Sequence, residues 1–156
     1  MILANYTKFL DKIFRHLERL GINVSRFEID HIAYATSSGS EYDKLKPEFV
    51  KHGKLIRENI IGKRRVGVCK LFKKLRYKNY SISALEFMEP KKGEIKKSGL
   101  EHAEFIIDSG LEDFMKKYST LPWDSSHIRR DRFPRLKLIL EKGLEVKFHL
   151  ASILEE

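Results

Sequence analysis

Between Tyr6 and Leu20 the apolar residues Tyr6, Phe9, Leu10, Ile13, Phe14, Leu17 and Leu20 recur at the spacing of one helix face, and from Phe27 onward the apolar period drops to two. This change of period recurs in the order strand, helix, strands, and then runs through the same order again. Gly21 follows the first helix where a left-handed C-terminal cap belongs. Residues 27–36 read as a strand carrying Asp30-His31-Ile32-Ala33-Tyr34-Ala35. Ser40 is the expected N-cap of a short helix through Tyr42, Leu45 and Phe49, which Pro47 should bend or interrupt. Residues 54–73 read as a hairpin turning near Gly62-Lys63, and residues 80–89 as a further strand ended by Pro90.

After the basic linker 91–97 the pattern begins again. Residues 100–107 read as a strand, and Ser109-Gly110-Leu111-Glu112 has capping-box spacing before Phe114, Met115 and Tyr118. Residues 125–132 read as a short strand or as a loop at an active site, and residues 136–140 pair with 144–150 through a turn at Lys142-Gly143. The expectation is one α+β domain over 1–156, with an N-terminal helix (1–27) and two halves at 28–90 and 98–151. Similarity between the halves is confined to their openings, Asp30-His31-Ile32-Ala33-Tyr34 against Glu101-His102-Ala103-Glu104-Phe105.

A length of 156 residues, 42% of them hydrophobic, suffices for one compact core. No apolar run approaches the roughly 18 residues of a membrane span, and Lys8, Asp11, Lys12 and Arg15 interrupt the N-terminal stretch as no signal peptide does. A soluble, cytoplasmic protein is expected. The one cysteine, Cys69, sits in the apolar-alternating run 66–71 and reads as a small core side chain. The net charge of +9 comes from 31 Lys and Arg against 22 Asp and Glu, clustered at Lys63-Arg64-Arg65, Lys73-Lys74, Lys91-Lys92, Lys96-Lys97 and Arg129-Arg130. Such an excess attracts nucleic acid, phosphorylated or carboxylated metabolites and acidic protein surfaces alike, so charge alone does not choose among them.

Strand alternation decides which side chains can meet. His31 shares a face with Ala33 and Ala35, Glu86 with Ala84 and Met88, and His102 with Glu104, opposite Ala103, Phe105 and Ile107. The last strand sets Leu144, Val146, Phe148 and Leu150 against Glu145, Lys147 and His149. If these polar faces line one concave sheet, two imidazoles and a carboxylate leave open positions on a divalent ion for water or a substrate oxygen. The alternative is a hydrogen-bonded structural role for each histidine, with Glu104 or Glu145 facing solvent. His16, His52 and His127 fall on a polar helix face or in loops and read as surface residues.

The segments Ile29-Asp30-His31-Ile32, Glu58-Asn59-Ile60-Ile61-Gly62-Lys63, Leu85-Glu86-Phe87-Met88-Glu89-Pro90, Gly99-Leu100-Glu101-His102-Ala103-Glu104 and Val146-Lys147-Phe148-His149 resemble, in order and spacing, the YecM-like family of the vicinal oxygen chelate superfamily, whose members include glyoxalase I, bleomycin resistance proteins and dihydroxybiphenyl dioxygenases. The resemblance covers nearly the whole chain from Phe27 to Ala151. It implies two paired βαβββ modules forming a cupped mixed sheet, with an extra N-terminal helix. It also implies metal ligands from the first and last strand of each module, which fall on His31, Glu86, His102 and Lys147. The fourth departs from the pattern, because an ammonium cannot coordinate a cation, and this speaks against glyoxalase or epimerase chemistry.

His149, about 7 Å further along the same face of the strand, is the candidate replacement for the fourth metal ligand. Lys147 is then a candidate catalytic group, binding an anionic substrate or giving up a proton if burial lowers its pKa, with Glu104 assisting as proton donor, acceptor or charge partner. The resulting expectation is an isomerase, lyase or dioxygenase-like enzyme that needs a divalent ion (Zn, Ni, Co, Mn or Fe) and acts on a small, anionic, oxygen-chelating molecule. Its site lies within one chain, in a monomer or homodimer. A non-catalytic small-ligand binding protein is the alternative. Nucleic-acid binding through the Lys/Arg clusters with Tyr77, Tyr80 and Trp123 is less favoured, for lack of any recognised reading motif.

Overall fold

The structure is a computed structural model and describes residues 2–156. Helix α1 (Tyr6–Arg19) is followed by β1 (Glu28–Ala35), α2 (Gly39–His52), β2 (Gly53–Ile61), β3 (Arg64–Tyr77) and β4 (Tyr80–Met88). The second half contributes β5 (Gly99–Ile106), α3 (Leu111–Lys117), β6 (Leu136–Glu141), β7 (Leu144–His149) and a 3-10 turn at Ile153–Glu155. All seven strands join one mixed sheet in the order β2-β3-β4-β1-β5-β7-β6. The two opening strands, β1 and β5, run antiparallel at its centre, and each half closes back on its own opening strand through a parallel pair, β4 on β1 and β7 on β5. This is the α+β sheet of paired modules that the resemblance implied. No helix among the described residues is long and apolar enough to cross a membrane.

The two faces of the sheet have different work. One packs Leu10, Ile13 and Leu17 of α1, Tyr42 and Phe49 of α2, and Leu111 and Phe114 of α3 against Ile32, Leu85, Phe87, Phe105, Val146 and Phe148, forming the main core. Cys69 lies in that core, its thiol pushed up to about 11 by burial. The other face, the inside of the cup, carries only small apolar groups, Ala33 with Val66 and Met88, and Val68 with Ala84 and Ile153. Between them stand buried His31, Glu86, His102, Glu104 and His149.

Local chemistry explains most boundaries. Helix α1 ends in a Schellman motif, with Gly21 at φ 73° and Ile22 N–H donating to the Leu17 carbonyl at 2.9 Å. Gly62 and Lys63, at φ 60° and 65°, make the two-residue turn between β2 and β3, where both positions need a positive φ. Helix α2 is capped by Ser38, two residues before the expected Ser40, because the Ser38 hydroxyl accepts from Glu41 N–H at 3.0 Å and the Glu41 carboxylate accepts from Ser37 N–H at 2.9 Å. The helix also runs through Pro47. Losing one backbone hydrogen bond there is outweighed by burial of Tyr42 and Phe49 on either side. The capping box at Ser109 does not form: Gly110 is the N-cap, and the Ser109 hydroxyl turns to the Gly110 carbonyl. Residues 125–132 are a loop, and one bridge between Asp124 and Lys137 stands where the second half would have its first strand after the helix. Its charge-rich sequence denies this stretch the apolar alternation a strand needs.

Phe87 stacks on Phe49 at 4.3 Å between ring centroids, and its ring lies across Gly67, where an added Cβ would stand 2.3 Å from Phe87 Cζ. Overpacking in a closed core costs on the order of 1–3 kcal/mol. Gly67→Ala is therefore expected to lower stability by about that much in urea unfolding followed by circular dichroism; an unchanged midpoint would show that Phe87 is not held in place.

Candidate metal centre

Each half of the sheet opens on an acid followed by a histidine, and in each half that acid is an unpaired, bulged residue. In the β1–β5 ladder Ile29 pairs Phe105 and His31 pairs Glu104, leaving Asp30 extra; Ala33 pairs His102 and Tyr34 pairs Leu100, leaving Glu101 extra. The bulges let the acids and the histidines reach the same side, while Ile29 and Leu100 turn to the core. Asp30 Oδ2 lies 2.8 Å from His31 Nδ1, and Glu101 Oε1 lies 3.2 Å from His102 Nδ1. With Nδ1–H donating to a carboxylate, each ring presents Nε2 to the inside of the cup.

There the strands bring His31, Glu86 and His102 together, with one donor atom of each within 4.8 Å of the others. His102 Nε2 stands 3.4 Å from Glu86 Oε1, and the His31 and His102 ring centroids are 6.0 Å apart. Two donors each about 2.1 Å from a tetrahedral ion stand about 3.4 Å from one another. His31 Nε2, His102 Nε2 and Glu104 Oε2 are buried without a hydrogen-bond partner; His31 Nε2 and Glu104 Oε2 approach to 2.8 Å yet are not aligned to bond. Buried polar atoms are rarely left in this state, and a divalent ion satisfies such a donor set, so the residues fit the group that the resemblance implied. His149 stands in an adjoining group with Asp30 and His31, its Nε2 3.5 Å from Asp30 and its Nδ1 3.4 Å from Glu104. It does not join Glu86 and His102.

The electrostatics follow from the depth of the site. Burial pulls the His31 imidazole down, but the carboxylates of Glu104 and Asp30 outweigh it and hold its pKa up at about 10. Burial pushes Glu86 and Glu104 up, and their neighbours more than reverse this, the His102 ring and the charge of His31 for Glu86, the charges of His31 and Arg135 for Glu104, so both stay ionised. Burial keeps His149 below the ordinary histidine value. Glu104 is wholly buried and ion-paired to Arg135, a position that suits the charge-partner role among those expected of it. Lys147 pairs in register with Glu104 and lines a cavity of about 140 Å³ that also touches Glu86.

Sequence reasoning missed several neighbours of the site. Asp30 and Glu101 were signalled by the acid-histidine dipeptide that the halves share, but not as partners of the rings. His127, read as a surface residue, is half-buried and lines the cavity beside Lys147. Arg135 and the final turn carry no local signal. The Ile153 N–H donates to Asp30, Arg57 bonds the carbonyls of Ile153 and Glu156, and Glu156 pairs with Arg135, so this turn walls one side of the cup. Burial pushes the Glu156 carboxyl up to about 7.

Comparison with known proteins agrees with the fold. The chain is 23% identical over 168 residues to Protein YecM of Escherichia coli (strain K12), covering 99% of this chain and 89% of that protein. It is 26% identical over 120 residues to an uncharacterized protein of Haemophilus influenzae, covering 77% of this chain and 60% of that protein's length. Among solved structures it superposes on a structural-genomics structure, Protein EC4020, with a TM-score of 0.81 at 22% identity, covering 99% of this chain and 88% of that one. On a methylmalonyl-CoA epimerase in complex with methylmalonyl-CoA and NH4+ the TM-score is 0.54 at 12% identity, covering 82% of this chain and 96% of that one. That epimerase has the vicinal oxygen chelate fold, and the likeness is one of fold. The family model described as YecM protein matches residues 1–155, and the chain belongs to that family.

Proposed function

We propose that this protein is a divalent-metal-dependent enzyme acting on a small, anionic molecule that offers two neighbouring oxygens. The observation that carries this reading is the set of inward-facing donor atoms, His31 Nε2 and His102 Nε2, buried and unbonded beside Glu86. A divalent ion held by these three residues supplies Lewis acidity toward both oxygens of a chelating substrate. Asp30 and Glu101 fix the ring orientations and keep both imidazoles facing the cup. Lys147 faces the cavity beyond Glu86, where its ammonium neutralises negative charge developing on the substrate or delivers a proton to it. Glu104, clamped by Arg135, sets a buried negative charge beside His31. His149, kept neutral by burial, offers a further nitrogen on the same wall.

Protein prepared without a metal-affinity tag is expected to carry about one divalent ion per chain by elemental analysis, and His102→Ala to lose it. Asp30→Asn, which leaves every ligand in place, is expected to weaken metal affinity by about 10–100-fold. Metal content unchanged in His102→Ala would refute the assignment.

Metal uptake should also be linked to protons. In the metal-free chain His31 keeps its second proton up to about pH 10, whereas a metal ligand must be the neutral ring. Each ion bound near neutral pH therefore expels about one proton, and apparent affinity rises about tenfold per pH unit in that range. Calorimetry in buffers of different ionisation enthalpy measures the release; affinity constant between pH 7 and 9 would contradict it.

A further inference from the structure

Beside Glu86 the cavity is walled by Arg64, Lys91, Arg130, Arg135, Lys137 and Lys147, and Glu86 is its one acidic lining residue. These cations come from separate stretches of the chain: the start of β3, the linker before β5, the loop after α3, β6 and β7. Arg135 is paired with Glu104 and Glu156, Lys137 lies 3.4 Å from Asp124, and Arg64 lies 3.9 Å from Glu94. Among the described residues Lys91, Arg130 and Lys147 have no carboxylate within 4.0 Å. Arg64 Nε is buried without a hydrogen-bond partner. His127, on the same wall, is pushed below its ordinary value by burial and by Arg130. Like charges gathered in a recess repel one another, and a bound anion relieves that repulsion.

We infer that this cavity is a phosphate-binding subsite, so that the molecule chelated at His31, Glu86 and His102 is a phosphorylated one. The inference rests on the metal-centre reading for its chemistry and on the cavity alone for its charge. Glu86 offsets one of the three unpaired cations, Lys91, Arg130 and Lys147, and a single carboxylate leaves one of them still unmet. A phosphate monoester brings a charge of about −1.5 to −2 and three acceptor oxygens, which guanidinium and ammonium groups converging from several sides are suited to share. Glu86 belongs to both the donor set and the cavity wall, so one small molecule reaches both. Lys147, at the position where the resemblance calls for a metal ligand, then has a partner of the opposite sign.

The test is titration calorimetry of the full chain with inorganic phosphate, after metal has been stripped by a chelating resin, so that binding cannot run through an ion. One saturable phosphate per chain is expected, bound at least about tenfold more tightly than acetate. Removing one charge-assisted contact in Arg130→Gln or Lys91→Gln should weaken phosphate by about tenfold or more. Both residues are exposed, so the core is untouched, and thermal melting confirms folding. Lys74→Gln, on exposed β3 away from the cavity, should leave affinity unchanged. No saturable phosphate binding, acetate bound as tightly, or equal weakening in Lys74→Gln would each overturn the subsite. Metal content measured on the same samples separates the two readings: phosphate bound by a chain that takes up no metal supports the subsite and removes the metal centre, and normal metal uptake without phosphate binding does the reverse.

Discussion

Glu104 holds a negative charge at 0% exposure, and the inner face of the sheet is arranged around it. A carboxylate so placed is tolerated only where opposite charges and donors reach it, and removing one partner of such a pair costs roughly 3–5 kcal/mol. Its partners come from three places: His31 on β1 at 2.8 Å, His149 on β7 at 3.4 Å, and Arg135 just before β6. These contacts tie the opening strand of the first half to the closing strands of the second. Arg135 in turn holds Glu156, and Asp30 holds the backbone of Ile153, so the last turn is fixed by the charges it covers.

The apolar pattern made the core and the side on which each strand residue lies readable in advance. Leu144, Val146 and Phe148 pack inward while Lys147 and His149 face the cup, because a side-chain period of two leaves no other arrangement once one face is buried. The meeting of His31, Glu86 and His102 was readable only through the resemblance, since no local rule states which strands become neighbours. Strand order depends on how two halves dock, and that is set by the whole core.

What was not legible had physical reasons too. Ser38 and Ser40 both lie ahead of an apolar run, and only the path of the chain decides which hydroxyl meets the free N–H groups. Gly110 caps α3 because the backbone turns there without help from a side chain. Arg135 and His127 sit in a stretch with no periodicity, where position follows from long-range charge rather than from neighbours in sequence. Loops that carry function are often of this kind.

The two unpaired acids, Asp30 and Glu101, have a consequence for how such a chain can diverge. An extra residue in a strand turns everything beyond it over to the other side of the sheet. Flattening either irregularity would exchange core and cup along the rest of β1 or β5, burying charges in oil and putting isoleucine in place of imidazole. The two halves are therefore alike in a matched pair of defects in hydrogen bonding, although their letters otherwise scarcely agree.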